Sequence, residues 1–267
     1  MNKIGIMQGR VLPKSVDKLQ IFPERWQEEL SLIKKIGFDY VELLDDKDGR
    51  LLSMLENKNF NIPTEIHKNK LECQSICLDR LCDYSLLKKP ELFLRKIEEL
   101  INNFKKEKGL KFIIPFFDEN KLDNKKQLCS ALKEISKYDK FLIKNNLYFS
   151  LEIDFKAKLI RNEFKKFRFK NIGICYDLGN NIGRGFNLYD EIILLKNYIN
   201  HIHIKDKKEG KNIRIRKNLE QLRLGFQAIK EISFNGLMIL ETCISPVPLD
   251  EARKNLTTVK EYINKIL

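Results

Sequence analysis

The chain has 267 residues, of which 43% are hydrophobic and 33% are charged, and this mixture excludes a disordered chain. No apolar run approaches the about 20 residues needed to span a bilayer, and six cysteines without a CxxC pair argue against a zinc finger or a disulfide framework. The formal net charge is +13, but the lysines are spread over nearly every predicted helix. This distribution disfavours a basic surface stripe of the kind that binds nucleic acid. The start resembles a strand and has no signal-peptide pattern, so we expect a cytoplasmic protein.

Short apolar runs alternate eight times with longer segments of helical periodicity. The predicted strands are residues 3–7, 40–44, 72–78, 111–116, 148–153, 172–176, 201–204 and 237–240. The clearest predicted helices are 23–36, 90–104, 125–143, 188–198, 219–232 and 249–266, while segments 48–71 and 156–166 give weaker helical patterns. Strands separated by helices imply parallel pairing with right-handed crossovers.

The number of strand–helix units indicates the fold. Eight units in a chain of this length predict an α/β protein, a (β/α)₈ TIM barrel with residues 1–267 in a single domain. The alternative, an open doubly wound sheet, is disfavoured because no glycine-rich dinucleotide fingerprint follows the first strand.

The last four predicted strands each carry, at or near their C-terminal ends, a residue that can bind a metal. They are Glu152, Asp177, His203 and Glu241. Each has an ordinary explanation when taken alone, such as a helix cap for Asp177 or a packed ring for His203. Because barrel enzymes place their chemistry at this end of the strands, the four together predict one shared site. Its oxygen-rich ligands favour one divalent ion, Mn²⁺, Co²⁺ or Mg²⁺, and leave Zn²⁺ open.

Further short motifs accompany these four residues. They are IGIMQGR at 4–10, Val41-Glu42, DLGN at 177–180 and HIHIKD at 201–206. With Glu152 and Glu241, they resemble the xylose isomerase-like superfamily of TIM-barrel sugar isomerases and epimerases along essentially the whole chain. The resemblance implies that the four residues bind the metal, that Glu152 and Glu241 also move the proton, and that His201 lies in the shell around His203. Family members commonly have histidine where this chain has Asn180, which can bind a hydroxyl but does not change charge near pH 7.

Several residues near the strand ends are candidates for substrate contacts. Lys205 and Arg214 belong to the basic segment 205–216, which can hold a substrate phosphate or carboxylate, although a flexible solvated loop explains it equally well. Three further candidates lie at or just past the first two strand ends: Gln8, Arg10 and Glu42. They can contact substrate hydroxyls, and capping or loop roles explain them equally well. Asn180 and His201 complete the set of candidates.

The expected activity is a divalent-metal-dependent isomerase or epimerase of a sugar or sugar phosphate, acting by proton transfer through a metal-bound enediolate. The alternative with the same first step is a metal-dependent dehydratase of a polyol or keto-acid. A nucleic-acid-associated protein, suggested by the charge, is less favoured. We therefore expect a small carbohydrate as the partner, with no nucleic acid and no membrane, and the sequence leaves a homo-oligomer open.

Overall fold

Parallel strands form the centre of the molecule. The computed structural model describes residues 4–13, 20–56, 61–104, 107, 109–217, 219–243 and 245–266. Its strands are β1 (Ile4–Met7), β2 (Tyr40–Leu44), β3 (Glu72–Cys77), β4 (Lys111–Pro115), β5 (Tyr148–Glu152), β6 (Ile172–Asp177), β7 (Ile199–Ile204), β8 (Asp206–Lys208), β9 (Lys211–Ile213) and β10 (Leu237–Leu240). Eight of them close into a barrel in the order β1-β10-β7-β6-β5-β4-β3-β2. The predicted (β/α)₈ barrel is thereby confirmed.

Helices connect the barrel strands. They are α1 (Trp26–Ile36), α2 (Arg50–Glu56), α3 (Ile62–Lys68), α4 (Pro90–Asn103), α5 (Lys125–Ser136), α6 (Asp139–Asn145), α7 (Ala157–Phe164), α8 (Leu178–Gly183), α9 (Leu188–Leu195), α10 (Glu220–Glu231) and α11 (Pro248–Ile266). Helix α1 ends as predicted at Gly37, whose φ of 103° lies in the left-handed region that favours glycine. No helix in the described part of the chain is long and apolar enough to cross a membrane.

The predicted strands agree with the barrel strands to within two residues at each end, and the predicted start at Lys3 lies outside the described residues. The predicted helix 125–143 is wrong as one element, because it breaks between α5 and α6, where the ring of Tyr138 packs on Phe149 of β5 at 6.1 Å. Segment 48–71 holds two short helices, α2 and α3, which lie before and after residues 57–60, and those four residues are not among the described ones. The basic segment 205–216 contains an antiparallel hairpin, β8–β9.

Side chains fill the interior of the barrel. A cluster of buried residues from the strands consists of Met7, Tyr40, Leu44, Cys77, Ile113, Cys175, Leu237 and Ile239. Gly5 makes room for this cluster, because a Cβ atom there would lie 2.5 Å from Ile239 Cδ1 and 2.9 Å from Tyr40 Cβ. The packed interior leaves the C-terminal strand ends as the place where polar side chains converge.

Candidate metal centre

The four predicted metal ligands come together at one end of the barrel. Glu152 ends β5, Asp177 ends β6, His203 lies near the end of β7, and Glu241 directly follows β10. These four strands are consecutive neighbours in the barrel. One ligand atom from each residue lies within 4.8 Å of the others, and all four residues are buried. We call this group the acidic cluster.

His203 is held from both sides of its ring. Its Nε2 atom lies 2.9 Å from Glu42 Oε1, and its Nδ1 atom lies 3.0 Å from Glu241 Oε2. Because a carboxylate only accepts hydrogen bonds, Glu42 favours the tautomer with the proton on Nε2. Although burial alone would lower the pKa of His203, its contacts with Cys175 and Glu42 raise it well above its ordinary value, so without a metal Nδ1 also carries a proton, which faces Glu241. A divalent ion bound between Nδ1 and the carboxylates would replace that proton. The donor set therefore fits a divalent metal.

Glu42 also binds the second histidine of β7. Its Oε2 atom lies 2.9 Å from His201 Nε2, and both side chains are fully buried. Burial lowers the pKa of His201 to about 4, so this ring is neutral at pH 7. Although burial alone would raise the pKa of Glu42, His203 and His201 lower it below its ordinary value, so Glu42 stays a carboxylate. The structure thus places Glu42 and His201 behind His203, in fully buried positions.

The two glutamates of the acidic cluster have opposite pKa shifts. Burial raises the pKa of Glu152 to about 8, against the opposing charge of Lys205. Burial also acts on Glu241, but Lys205 and His203 outweigh it and hold the pKa of Glu241 well below its ordinary value. A pair of carboxyl groups with separated pKa values is an arrangement found in proton-transfer sites.

Lys205 lies inside this group of carboxylates. Its Nζ atom is 2.6 Å from Asp177 Oδ2 and 2.9 Å from Glu241 Oε2, and its side chain is only 6% exposed. The sequence suggested a contact between Lys205 and a substrate phosphate or carboxylate. In the structure, its partners are instead two carboxylates of the protein.

Asn180 binds the neighbouring carboxylates. Its side-chain amide donates a hydrogen bond to Glu152 Oε1 at 2.9 Å, and its backbone N–H donates to Asp177 Oδ1 at 2.7 Å. Asp177 thereby caps the short helix α8 with one oxygen and turns the other toward Lys205. Asn180 therefore occupies the edge of the acidic cluster and orients Glu152.

A contact that the sequence did not predict reaches Glu241 from the loop after β1. Gln20 Nε2 donates to Glu241 Oε1 at 2.9 Å, and Gln20 Oε1 accepts from the Arg10 guanidinium at 2.5 Å. No motif or strand end marks Gln20, which lies 221 positions from Glu241 in the chain. Arg10 thus reaches the acidic cluster through Gln20. Gln8 is also fully buried, and its side-chain amide has no hydrogen-bond partner among the described residues.

The structure does not bring Arg214 to the acidic cluster. Its guanidinium donates to both carboxylate oxygens of Glu251 on α11, at 2.7 and 2.5 Å. Arg216 likewise binds Asp206 at the base of the hairpin. Two arginines of the basic segment thus pair within the protein, on the side of the hairpin that faces α11.

Comparisons with known proteins find one relative of low sequence identity and several structures with the same fold. No protein-family model matches the sequence. The Mycoplasma pneumoniae (strain M129) protein named probable L-ribulose-5-phosphate 3-epimerase UlaE is 19% identical over 253 residues, which cover 88% of this chain and 82% of that protein. The structure of an L-ribulose 3-epimerase has a TM-score of 0.77 at 14% identity, covering 100% of this chain and 96% of that one.

A further solved structure contains a metal. It is a xylose isomerase-like TIM-barrel protein from Mycobacterium smegmatis in complex with magnesium, with a TM-score of 0.74 at 15% identity, covering 99% of this chain and 98% of that one. The barrel order and these similarities agree, at the level of the fold, with the resemblance predicted from the sequence: this chain shares its TIM-barrel fold with L-ribulose 3-epimerase and with the xylose isomerase-like protein.

Proposed function

We propose that this protein is a divalent-metal-dependent isomerase or epimerase of a sugar or sugar phosphate. The observation that carries the proposal is the acidic cluster, in which ligand atoms from four neighbouring strand ends lie within 4.8 Å of one another. Three carboxylates and one imidazole suit Mn²⁺, Co²⁺ or Mg²⁺, and Zn²⁺ also accepts such ligands. When bound, the ion would polarise a substrate carbonyl and make the neighbouring carbon more acidic.

Glu152 and Glu241 are the proposed proton carriers. Glu152 ends β5 and Glu241 follows β10, with β6 and β7 between them. They are therefore the two outer members of the acidic cluster. If one removes a proton from the carbon beside the carbonyl and the other returns one to the opposite face, the product is the epimer. If one glutamate serves two adjacent carbons, the product is the isomerised aldose or ketose. Gln8, with its buried and available amide, is proposed to bind a substrate hydroxyl.

The relatives support a ketose as the substrate. The names of two similar proteins specify ribulose and ribulose 5-phosphate, each epimerised at carbon 3. We therefore propose pentuloses and their phosphates as the first compounds to test. The acidic cluster itself is compatible with both, because it would contact the carbonyl end of the sugar and not the phosphate.

Metal content tests the proposal directly. Wild type, Glu241→Gln and Glu251→Gln would be purified identically without chelator and measured by elemental mass spectrometry. We expect about one divalent ion per wild-type chain, because the described residues form one group of four ligands. We expect clearly less in Glu241→Gln. Glu251→Gln alters a buried carboxylate on α11 that pairs with Arg214, so it should retain the metal. A wild type that stays metal-free and gains no thermal stability from added Mn²⁺ would contradict the proposal.

The reaction can be followed by proton NMR in D₂O with L-ribulose or L-ribulose 5-phosphate. Proton transfer at carbon 3 would exchange that hydrogen for deuterium and produce the epimer, in wild type but not in Glu152→Gln. Loss of water from the sugar would instead indicate the dehydratase reaction. Absence of exchange with every pentulose and pentulose phosphate in the metal-loaded protein would refute this choice of substrate.

A further inference from the structure

Lys205 contacts the same oxygen atoms that a metal would use. Asp177 Oδ1 is occupied by the backbone N–H of Asn180, so Oδ2 is the oxygen left for a cation, and Lys205 Nζ lies 2.6 Å from it. Glu241 Oε1 accepts from Gln20, so Oε2 is the corresponding oxygen there, and Lys205 Nζ lies 2.9 Å from it. The ammonium therefore binds the inward-facing oxygens of two of the four proposed ligands.

The fold holds Lys205 in this position. A Cβ atom on Gly179 would lie 2.4 Å from Lys205 Cγ and 2.8 Å from the Lys205 carbonyl oxygen, so only glycine lets the chain of α8 pass this closely. The stem of the lysine is thereby confined between α8 and the end of β7. A buried ammonium has lost most of its hydration, and its carboxylate partners replace that lost water.

A second buried cation, Arg10, lies near the acidic cluster. Its guanidinium binds Gln20 Oε1 at 2.5 Å and Met7 Sδ at 3.3 Å. The Lys205 ammonium contacts two carboxylates of the acidic cluster directly. Together with His203, which lies beside Glu241, it supplies the positive charge that Asp177 and Glu241 need when no ion is bound.

We infer that Lys205 is the resident cation of the metal-free site, and that a divalent ion must displace its ammonium from Asp177 and Glu241 in order to bind. This inference rests on the proposed metal site. Two cations cannot share the same carboxylate oxygens at close range without strong repulsion. The lysine thus keeps the metal-free protein folded and lowers its affinity for the ion.

The test compares Mn²⁺ binding to metal-free wild type, Lys205→Met and Lys207→Met by isothermal titration calorimetry. Methionine keeps the apolar stem of lysine and removes the charge. We expect Lys205→Met to bind Mn²⁺ at least about tenfold more tightly than wild type, equivalent to about 1.4 kcal/mol. Lys207→Met removes the same charge two residues further along the hairpin, where the side chain is partly exposed, and should leave the affinity nearly unchanged.

Thermal unfolding gives a second measurement that does not depend on activity. Metal-free Lys205→Met should unfold at a lower temperature than metal-free wild type, because the buried carboxylates of Asp177 and Glu241 lose their ammonium partner. Added Mn²⁺ should raise the Tm of the variant by more than it raises that of wild type. If Lys205→Met does not fold without metal, Lys205→Gln keeps hydrogen-bond donors without the charge and takes its place in the titration.

The outcomes separate this inference from the proposed function. Equal or weaker Mn²⁺ binding by Lys205→Met, with clear binding by wild type, overturns the inference alone. An equal gain in Mn²⁺ affinity in Lys207→Met also overturns the inference, because the gain would then come from long-range electrostatic repulsion and not from displacement of the Lys205 ammonium. Binding by Lys205→Met but not by wild type supports the inference and contradicts metal dependence of the natural chain. Absence of binding in both proteins refutes both proposals.

Discussion

At the scale of single residues, Glu42 shows how a buried carboxylate can act through a neighbour. Its two oxygens lie 2.9 Å from the Nε2 atoms of His201 and His203. In Glu42→Gln, an amide N–H₂ would face one of these ring N–H groups, so the tautomer and orientation of His203 would no longer be fixed. We expect the affinity for Mn²⁺ to fall about 10- to 100-fold, measured by calorimetry. Glu251→Gln is the matched control, and an unchanged affinity in Glu42→Gln would show that Glu42 does not position His203.

The raised pKa of Asp79 makes the stability of the fold depend on pH. Asp79 begins a 3₁₀ turn two residues after β3, and burial raises its pKa to about 7, against the opposing charge of Lys47. Between its ordinary pKa near 4 and about 7, the folded state holds a proton that the unfolded state has released. The contribution of Asp79 to stability is therefore greatest at low pH and is lost as the pH rises through this window.

Asp79→Asn removes the free-energy cost of ionising this buried carboxyl group at high pH. Because asparagine does not ionise, the variant should be more stable than wild type at pH 8, by roughly 2 to 8 °C in Tm after allowance for partial exposure to solvent. The two proteins should converge below about pH 3, where Asp79 is protonated in both states. Thermal unfolding followed by circular dichroism at both pH values checks this, and equal Tm values at pH 8 would count against it.

The sequence predicted the acidic cluster because strand ends can be located from apolar periodicity, and parallel strands end at the same side of a barrel. It could not predict that Glu42 faces the two histidines, because this depends on which side of the closed barrel each strand residue faces. The sequence marked Lys205 as a candidate substrate contact, but it could not predict the carboxylate partners of Lys205 or the contact of Gln20 with Glu241, for a similar reason. Their contacts depend on the path of a loop and on the close packing of α8 against the end of β7.

At the scale of elements, the hairpin β8–β9 is anchored by one carboxylate. Asp206 is fully buried and accepts hydrogen bonds from the backbone N–H, Nε and Nη2 of Arg216, at 3.0, 2.8 and 2.8 Å. Asp206→Ala leaves this guanidinium without its partner and should cost about 2 to 4 kcal/mol of stability. Hydrogen–deuterium exchange should become faster in residues 206–213 than in the barrel strands. Lys208→Ala, at the exposed tip, is the control, and equal exchange in both variants would contradict the anchoring role.

The same hairpin shows where the sequence interpretation was incomplete. Charged residues dominate the segment and hide a strand pattern, but its turn carries a signal. Glu209 and Gly210 have φ values of 50° and 77°, and a two-residue connection with positive φ at both positions is typical of tight hairpins. Gly210 marks this turn in the sequence. By contrast, no glycine or proline separates α5 from α6, so that break depends on the tertiary packing of Tyr138 and could not be predicted.

At the scale of the whole molecule, the barrel is closed by β1, which pairs with both β2 and β10. Loss of either pairing would expose the interior, so we expect the chain to unfold in a single cooperative transition. Trp26, the one tryptophan in the sequence, is buried on α1 beside Phe22, and its fluorescence therefore reports on the first helix. Urea unfolding followed by this fluorescence and by far-UV circular dichroism should give coincident midpoints. Two separate midpoints would mean that α1 and the rest of the barrel unfold independently.

The position of the four ligands along the chain has a consequence for synthesis in the cell. All four lie between residues 152 and 241, and the last of them follows β10, the strand that pairs with β1. While the polypeptide is emerging from the ribosome, β10 and Glu241 appear after the other seven strands of the barrel. The site is therefore completed only when the last barrel strand has been made, and an ion bound there would stabilise chains that include this strand and not chains that stop before it.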